Sequence, residues 1–560
     1  MFKRLLKNIY KKKEFVLLFF LLLLAGFLRL YKIGDYMTFL GDEGRDVLVV
    51  YKILHGEFTL LGPTASVGGF FMGPIYYYFM TPFLWLFNYN PVGPSVMVAL
   101  FGIATVWLIY KFGSEFFNKK SAFIAALLYV VSPLVISYSR SSWNPNLMPF
   151  FSLLTLLVLY KAIKKNNGLL FIICGFLFGI DFQLHYIETF LGVVIAFYVF
   201  LHRVIFGEKQ IIKKAINAIE NYSFIVFGFL IGWSPFLLFE IRHGFPNTQS
   251  VINFIFHSGD TGSNPHFFNN ILDVYFRLFA RLLTKFPPPE QISLKNSIVD
   301  FDLFITNISF HISYLYYFTE FLMLGSTFLL VINCIKAFKT DKEKFLKLSL
   351  LLLWLFFGVF LFGFYKKPIY DYYFQFLFPL PFLLVGNLIF VIYTNLRAFF
   401  SKIFKLFSLK TDGFTQVGLI GKLLACAILI ILVLLNLSGI PFRYPPNKQV
   451  EQVETISRFV FDKSDNKPFN FALITGGNSD HAYRYFFKLW NHNPLIIENT
   501  MVDPKRYTVT DQLLVVCEKN PCAPLGDSLW EVAGFGRAEI VGEWDVSVVK
   551  VYKLSHYKGK

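Results

Sequence analysis

The chain has 560 residues, 55% hydrophobic and 19% aromatic, with charged residues at 16% against roughly 25% in ordinary globular domains. That balance, with a mean hydropathy of +0.53, excludes a soluble enzyme built on one core. A net charge of +17 raises nucleic-acid binding, but the positives gather in short loops between apolar runs near twenty residues long, the pattern that orients membrane spans. No nucleic-acid partner is expected.

The start, MFKRLLKNIYKKKE, is basic, and Phe15 to Tyr31 is a Leu/Phe run. No small-x-small cleavage pattern precedes its exit, so it reads as an uncleaved anchor with a cytoplasmic N-terminus. A long loop follows, from Lys32 to Pro94. Within it Asp42 to His55 reads as a helix lying in the interface, with Val47, Val50, Tyr51 and Leu54 on one face and Asp42 and Asp46 stacked at i, i+4. Gly62 to Pro74 (GPTASVGGFFMGP) is expected to be a tight loop. Ile75 to Phe87 is short for a span, interrupted by Pro82 and rich in Tyr and Trp, which are properties of an interfacial, non-crossing element.

That choice sorts every later loop. Further spans are expected at Ser95–Phe112, Ala122–Tyr138, Leu147–Tyr160, Leu169–Phe182, Phe190–Leu201, Tyr222–Phe239, Tyr316–Ile335, Leu346–Phe364, Phe374–Tyr393 and Gly418–Leu437. The basic loops (Lys111 to Lys120, Lys161 to Lys165, Arg203 to Lys214, Lys336 to Lys347, Arg397 to Lys410) then all face the cytoplasm, as the positive-inside rule requires. Arg140 to Asn146, Gln183 to Glu188, Glu240 to Ser313, Tyr365 to Tyr373 and the C-terminus face outside. In the long external segment, Asn269 to Phe286 reads as an amphipathic surface helix stopped by Pro287 to Pro289.

From Pro441 onward the composition is that of a small soluble domain. Phe469–Ile474 and Leu513–Cys517 read as buried strands, Val546–Tyr552 as a half-buried one and His481–Leu489 as a helix. TGGN (Thr475 to Asn478) lacks the Walker ending and is expected to be a strand-to-helix turn. Cys517 and Cys522 can close a small disulfide loop in a domain outside the cytoplasm, and no Cys/His set with zinc spacing exists. The expected fold is a polytopic α-helical membrane protein of about eleven spans, with a long first extracytoplasmic loop and a small C-terminal extracytoplasmic α/β domain. Its expected division is a membrane part, 1–439, with the loop at 32–94, and a soluble part, 440–560. The expected location is the plasma membrane, crossed many times.

One face thus collects Asp42, Glu43, Arg45, Asp46, Arg140, Asn144, Gln183, His185, Lys366, Lys367 and Asp371. Ionisable groups near a membrane are costly unless paired or functional. Sugar transfer from a lipid phosphate needs a carboxylate near the acceptor hydroxyl, cations for the departing phosphate and an apolar groove for the lipid tail. This face offers all three. A single carboxylate base fits an inverting displacement.

The membrane part resembles the GT-C class of integral-membrane glycosyltransferases. It is most similar to the bacterial branch related to protein O-mannosyltransferases, lipid A aminoarabinose transferases and rhizobial lipopolysaccharide glycosyltransferases. Asp42-Glu43-Gly44-Arg45 matches that class's DEAR-like motif, Gly56-Glu57-Phe58 its G-D-W, and Gly73-Pro74-Ile75-Tyr76-Tyr77 its P-P-L-Y-Y. The resemblance implies Asp42 as catalytic base, with Glu43 beside it, and a polyprenyl-phosphate sugar as donor. Tyr76 and Tyr77 belong to the substrate-binding set, with Arg45, Asp46, Arg140, Asn144, Gln183, His185, Lys366 and Lys367. The acceptor it implies is an extracytoplasmic glycan, lipid or protein, and membrane lipids are constant neighbours. Asn144-Pro145-Asn146 stands where other branches carry a metal-binding acid, so no cofactor or metal is assigned. The alternative from another class is a transporter or flippase of lipid-linked glycans, which calls for charge at mid-membrane and internal symmetry.

Overall fold

The computed structural model describes residues 2–65, 68–206, 210–288, 310–406 and 414–559. Among them, seven helices are long and apolar enough to cross a membrane, and eight if the bent pair Asp371–Leu377 and Pro379–Thr394, at 59°, is one span. The other expected crossings correspond to the helix Phe2–Leu30, the proline-broken pair Lys119–Val131 and Pro133–Tyr138, and the shorter apolar helix Gly168–Leu184. Each expected span therefore has a helix. The seventh, expected at Tyr222–Phe239, begins earlier than its apolar run: the helix is Ile211–Gly232 and takes in Lys213 and Lys214, and a break at Trp233 starts the separate helix Ser234–His243. Pro235 in that second helix's first turn explains the break, because proline suits a first turn and not a helix interior.

Ile75–Leu86 is a helix of 12 residues, about 18 Å at 1.5 Å per residue against an apolar slab of about 30 Å. Its length is that of a non-crossing element. The helix Phe267–Leu283 departs from its surface expectation. Its apolar face, with Leu278, Phe279, Leu282 and Leu283, is buried, and so is Arg277. Arg277 and Arg281 reach Asp371 at 2.6 and 2.7 Å, and Arg277 also holds Asp273 at 2.9 Å. Burying a guanidinium is tolerable when its donors meet carboxylates in this way.

Contacts between loops define two ends. At one, Lys119 meets Glu14, and Lys164 and Lys347 converge on Glu343 at 2.6 and 3.1 Å. At the other, the first loop holds the chain that enters the C-terminal domain. Lys448 donates its amide to the Asp35 carbonyl at 2.9 Å, Phe39 donates to the Gln449 side chain at 2.9 Å, and Tyr36 donates its hydroxyl to the Tyr444 carbonyl at 2.9 Å.

The C-terminal domain is a four-stranded sheet in the order β1-β2-β4-β3, with β1 Asn470–Ile474, β2 Gln512–Cys517, β3 Ala538–Val546 and β4 Val549–His556. β1 and β2 are parallel, and the rest of the pairing is antiparallel. The expected strand Val546–Tyr552 in fact straddles the β3–β4 turn, where Ser547 takes φ 55°. Its alternation belongs to β4, and β3 was hidden by a mostly solvent-facing strand. Cys517 and Cys522 are disulfide-bonded. The helix His481–Leu489 follows β1 through the TGGN turn.

Candidate active site

The motif helix is Gly41–Leu54. Its first turn carries Asp42 and Glu43, where carboxylates favour the positive helix end. Glu43 reaches back to accept the Leu40 amide at 3.0 Å, half of a capping box. The helix does not lie freely in an interface. Val47, Val50 and Ile53 are buried, and it is held between the helix Ile75–Leu86 and the C-terminal helix His481–Leu489.

Arg45 organises the carboxylates. Its guanidinium donates to Asp42 at 2.9 Å and to Asp46 at 2.8 Å, with side-chain exposures of 56% for Asp42 and 0% for Asp46. Tyr77 donates its hydroxyl to Asp46 at 3.2 Å. Asp46 is thus an internal anchor, Arg45 a bridge, and Asp42 the carboxylate offered to solvent. Burial pushes the Glu43 carboxyl up to about 7, against the Leu40 amide. Burial also pushes Asp46 up to about 6, with Arg45 opposing.

The neighbouring segment Met72–Tyr77 links this chain of charges to a cavity. The Gly62 amide donates to the Met72 carbonyl and the Met72 amide to the Pro63 carbonyl, each at 2.8 Å, tying together the two ends of the glycine-rich loop. Met72 and Gly73 line an almost wholly apolar groove of about 520 Å³, together with Phe70, Tyr186, Trp233 and Tyr365. That volume lies within the usual range for ligand sites. Gln183 fastens the segment: its Oε1 accepts the Ile75 amide at 3.3 Å and its Nε2 donates to the Gly232 carbonyl at 2.6 Å. Asn144 donates to the Leu184 carbonyl and to Met72 Sδ.

Aromatic rings continue the wall. Tyr76 shares a hydrogen bond with Ser142 at 2.8 Å. Trp143 meets Tyr372 at 4.5 Å between centroids, Tyr372 meets Tyr373 at 4.6 Å, and His185 lies 4.4 Å from Tyr186 and 5.5 Å from Tyr373. His185 is buried, and its Nδ1 accepts the Ile187 amide. Tyr186 and Tyr365 bring their hydroxyls to 3.3 Å at the groove. Lys366 and Lys367 follow Tyr365 on an exposed loop, where Lys367 pairs with Asp260 at 3.0 Å.

Arg140 is placed otherwise than as a free cation. It is buried, and its Nη1 and Nη2 donate to the carbonyls of Leu28, Arg29, Tyr31 and Lys32 at 2.7–3.2 Å. These are orphan acceptors at the end of the first helix, so Arg140 caps that helix. Asp371 is likewise engaged, by Arg277 and Arg281. Sequence reasoning missed that pair, Trp143 and Tyr372. The aromatic density of YKKPIYDYY was the available signal. It also missed that the motif helix rests on the C-terminal domain. No group of three or more His, Cys, Asp or Glu suited to a metal occurs among the described residues.

This combination of helices, first-loop site and C-terminal domain matches the fold of membrane glycosyltransferases, as the motifs imply. The structure of ArnT from Cupriavidus metallidurans bound to undecaprenyl phosphate superposes with TM-score 0.57 at 12% identity, over 96% of this chain and 97% of that one. The oligosaccharyltransferase AglB from Archaeoglobus fulgidus, in complex with an inhibitory peptide and a dolichol-phosphate, superposes with TM-score 0.53 at 13% identity, over 90% of this chain and 69% of that one.

In sequence, the dolichyl-phosphate-mannose-protein mannosyltransferase family matches residues 72–233. YkcB of Bacillus subtilis, which carries a provisional mannosyltransferase designation, is 24% identical over 253 residues, 44% of this chain. YycA of the same organism, similarly designated, is 24% identical over 161 residues, 29% of this chain. The chain spans about a third and a quarter of the length of these two relatives, 35% and 23%.

Proposed function

We propose that the protein is a glycosyltransferase that moves a sugar from a polyprenyl-phosphate donor to an extracytoplasmic acceptor, inverting the anomeric centre, with Asp42 as general base. One observation carries this reading. The segment Met72–Tyr77 lines the apolar groove with its first residues and grips the Asp46–Arg45–Asp42 chain with its last. A lipid tail in the groove places its head near a solvent-facing carboxylate. The polyprenyl phosphates in the ArnT and AglB structures support a donor of that chemistry.

In the transfer, the acceptor oxygen bonds to the anomeric carbon while its proton passes to Asp42. The anomeric carbon–oxygen bond breaks, and the phosphate leaves with the electron pair. Asp46 and Tyr77 fix Arg45, and Arg45 fixes the Asp42 carboxylate, so the base is oriented before substrate arrives. Lys366 beside the groove is placed to offset charge on the departing phosphate. Glu43 supports the helix start, Arg140 caps the first helix, Asn144 and Gln183 hold the groove wall at Met72–Ile75, and His185 packs among the tyrosines. No metal is needed for these steps.

The positive-inside rule supports a reading in which the Lys119, Lys164 and Lys347 end is cytoplasmic and the motif helix and the C-terminal part, 440–560, are extracytoplasmic. The transporter alternative calls for charge at mid-membrane. The buried carboxyls Asp181 and Glu188 instead flank the break between Gly168–Leu184 and Tyr186–Ile205, at the site's own end.

The test is turnover of polyprenyl-phosphate sugars by purified protein. Asp42→Asn is expected to lower it by about 10²–10⁴-fold, the usual worth of a general base. Native-like turnover in Asp42→Asn removes the base assignment, and no turnover of any sugar lipid by the native protein favours transport.

A further inference from the structure

A second cavity, of about 480 Å³, lies where the parallel strands β1 and β2 end, lined by Thr475, Asn478, Ser479, Asp527, Ser528 and Glu531 among others. The carboxyl ends of parallel strands are where open α/β sheets take ligands, because the connecting loops diverge there. About half of the wall surface is polar, whereas the lipid-sized groove is almost wholly apolar. Their charged groups are Lys519 against Asp480, Asp527 and Glu531, and Asp480 is already paired with Arg484. Hydroxyls, an amide and carboxylates suit a ligand with many hydroxyl donors, and the excess of acid disfavours phosphate.

The place of this cavity gives it meaning. Its wall is also the surface that meets the motif helix. Asn478 Oδ1 accepts the Gly41 amide at 2.8 Å, and its Nδ2 donates to Glu518 at 3.2 Å. Ser479 Oγ shares a hydrogen bond with His481 Nδ1 at 2.7 Å. A Cβ on Gly41 would collide with Ser479, and one on Gly44 with the backbone of His481 and Ala482. Asp42 is exposed and follows Gly41, whose amide the wall residue Asn478 holds. Burial holds His481 below its ordinary pKa, and both Arg45 and Asp42 are near enough to act on it.

We propose that this cavity is the acceptor subsite, taking a hydroxyl-rich glycan, neutral or amine-bearing, and presenting one of its hydroxyls to Asp42. This rests on the reading of Asp42 as base. The donor then enters from the apolar groove, and the acceptor enters over the small sheet.

The experiment uses the full chain in detergent, with maltotetraose, a glucosamine tetramer and the anionic tetragalacturonate as probes, read by saturation-transfer NMR. Maltotetraose and the glucosamine tetramer are expected to bind, with tetragalacturonate at least about tenfold weaker. Ser528→Trp, at an exposed loop position filling the cavity, is expected to weaken binding of the first two at least about tenfold. Asp42→Asn should remove hydrolysis of the lipid donor by water and leave oligosaccharide binding intact. Val548→Ser, at the exposed β3–β4 turn and outside the cavity, should preserve binding and serves as a folding control. Absence of binding by both tetramers, tighter binding of tetragalacturonate, or unchanged binding in Ser528→Trp overturns the subsite. Donor hydrolysis surviving in Asp42→Asn overturns the base instead, so the two failures are told apart.

Discussion

Glu43 illustrates how one carboxyl can serve a helix start at a cost to stability. Burial raises it from 4.5 to about 7, so the folded chain holds its proton more tightly than the unfolded chain. Between those pH values the folded state binds more protons, and stability falls as pH rises through the window. The loss above pH 7 is on the order of 3 kcal/mol at most. Glu43→Gln keeps an acceptor for the Leu40 amide and removes the charge. Thermal unfolding from pH 4.5 to 8 should show the native protein losing ground to Glu43→Gln as pH rises, and parallel curves would contradict the burial account. At this scale the motif was legible as chemistry, because carboxylates and an arginine at a membrane edge need a reason. Which of them is exposed was not legible. That depends on Tyr77 and on the packing around Asp46, which spacing along one helix does not reveal.

Among elements, the contact between the motif helix and His481–Leu489 depends on having no side chain at Gly44. Gly44→Val should push the two helices apart, with a steric cost of about 1–3 kcal/mol. The expected result is faster proteolysis near 440–448 and loss of transfer, with the other spans still folded by circular dichroism. A second test concerns Phe267–Leu283. Asp371→Ala leaves Arg277 and Arg281 without their shared carboxylate, which typically costs about 3–5 kcal/mol for a buried pair. A clear drop in the unfolding temperature is expected, and an unchanged one would mean that the pair is dispensable. Periodicity found both helices within three residues at either end. It failed on their surroundings, because an amphipathic pattern is the same whether the apolar face meets lipid, a bundle or another domain.

For the whole molecule, the spans were readable because twenty apolar residues have few alternatives, and the short Ile75–Leu86 helix was readable from its length and Pro82. The cavities were not readable, since each is assembled from segments far apart in sequence. The proposed sidedness has a direct check: cysteines introduced at Glu57 and Lys342 are labelled with an impermeant maleimide on intact cells. Labelling at 57 and not at 342, above the native background, is expected, and the reverse pattern would invert the molecule.

The hydrogen bond from Gly41 to Asn478 joins positions 437 residues apart. During synthesis the motif helix leaves the ribosome 437 residues ahead of this partner. Whatever order the spans insert in, the proposed base stays without its full setting until the small sheet has folded. Under the proposed function, activation waits on that contact, and a chain whose small sheet has not yet folded has no finished site for the proposed lipid-linked donor.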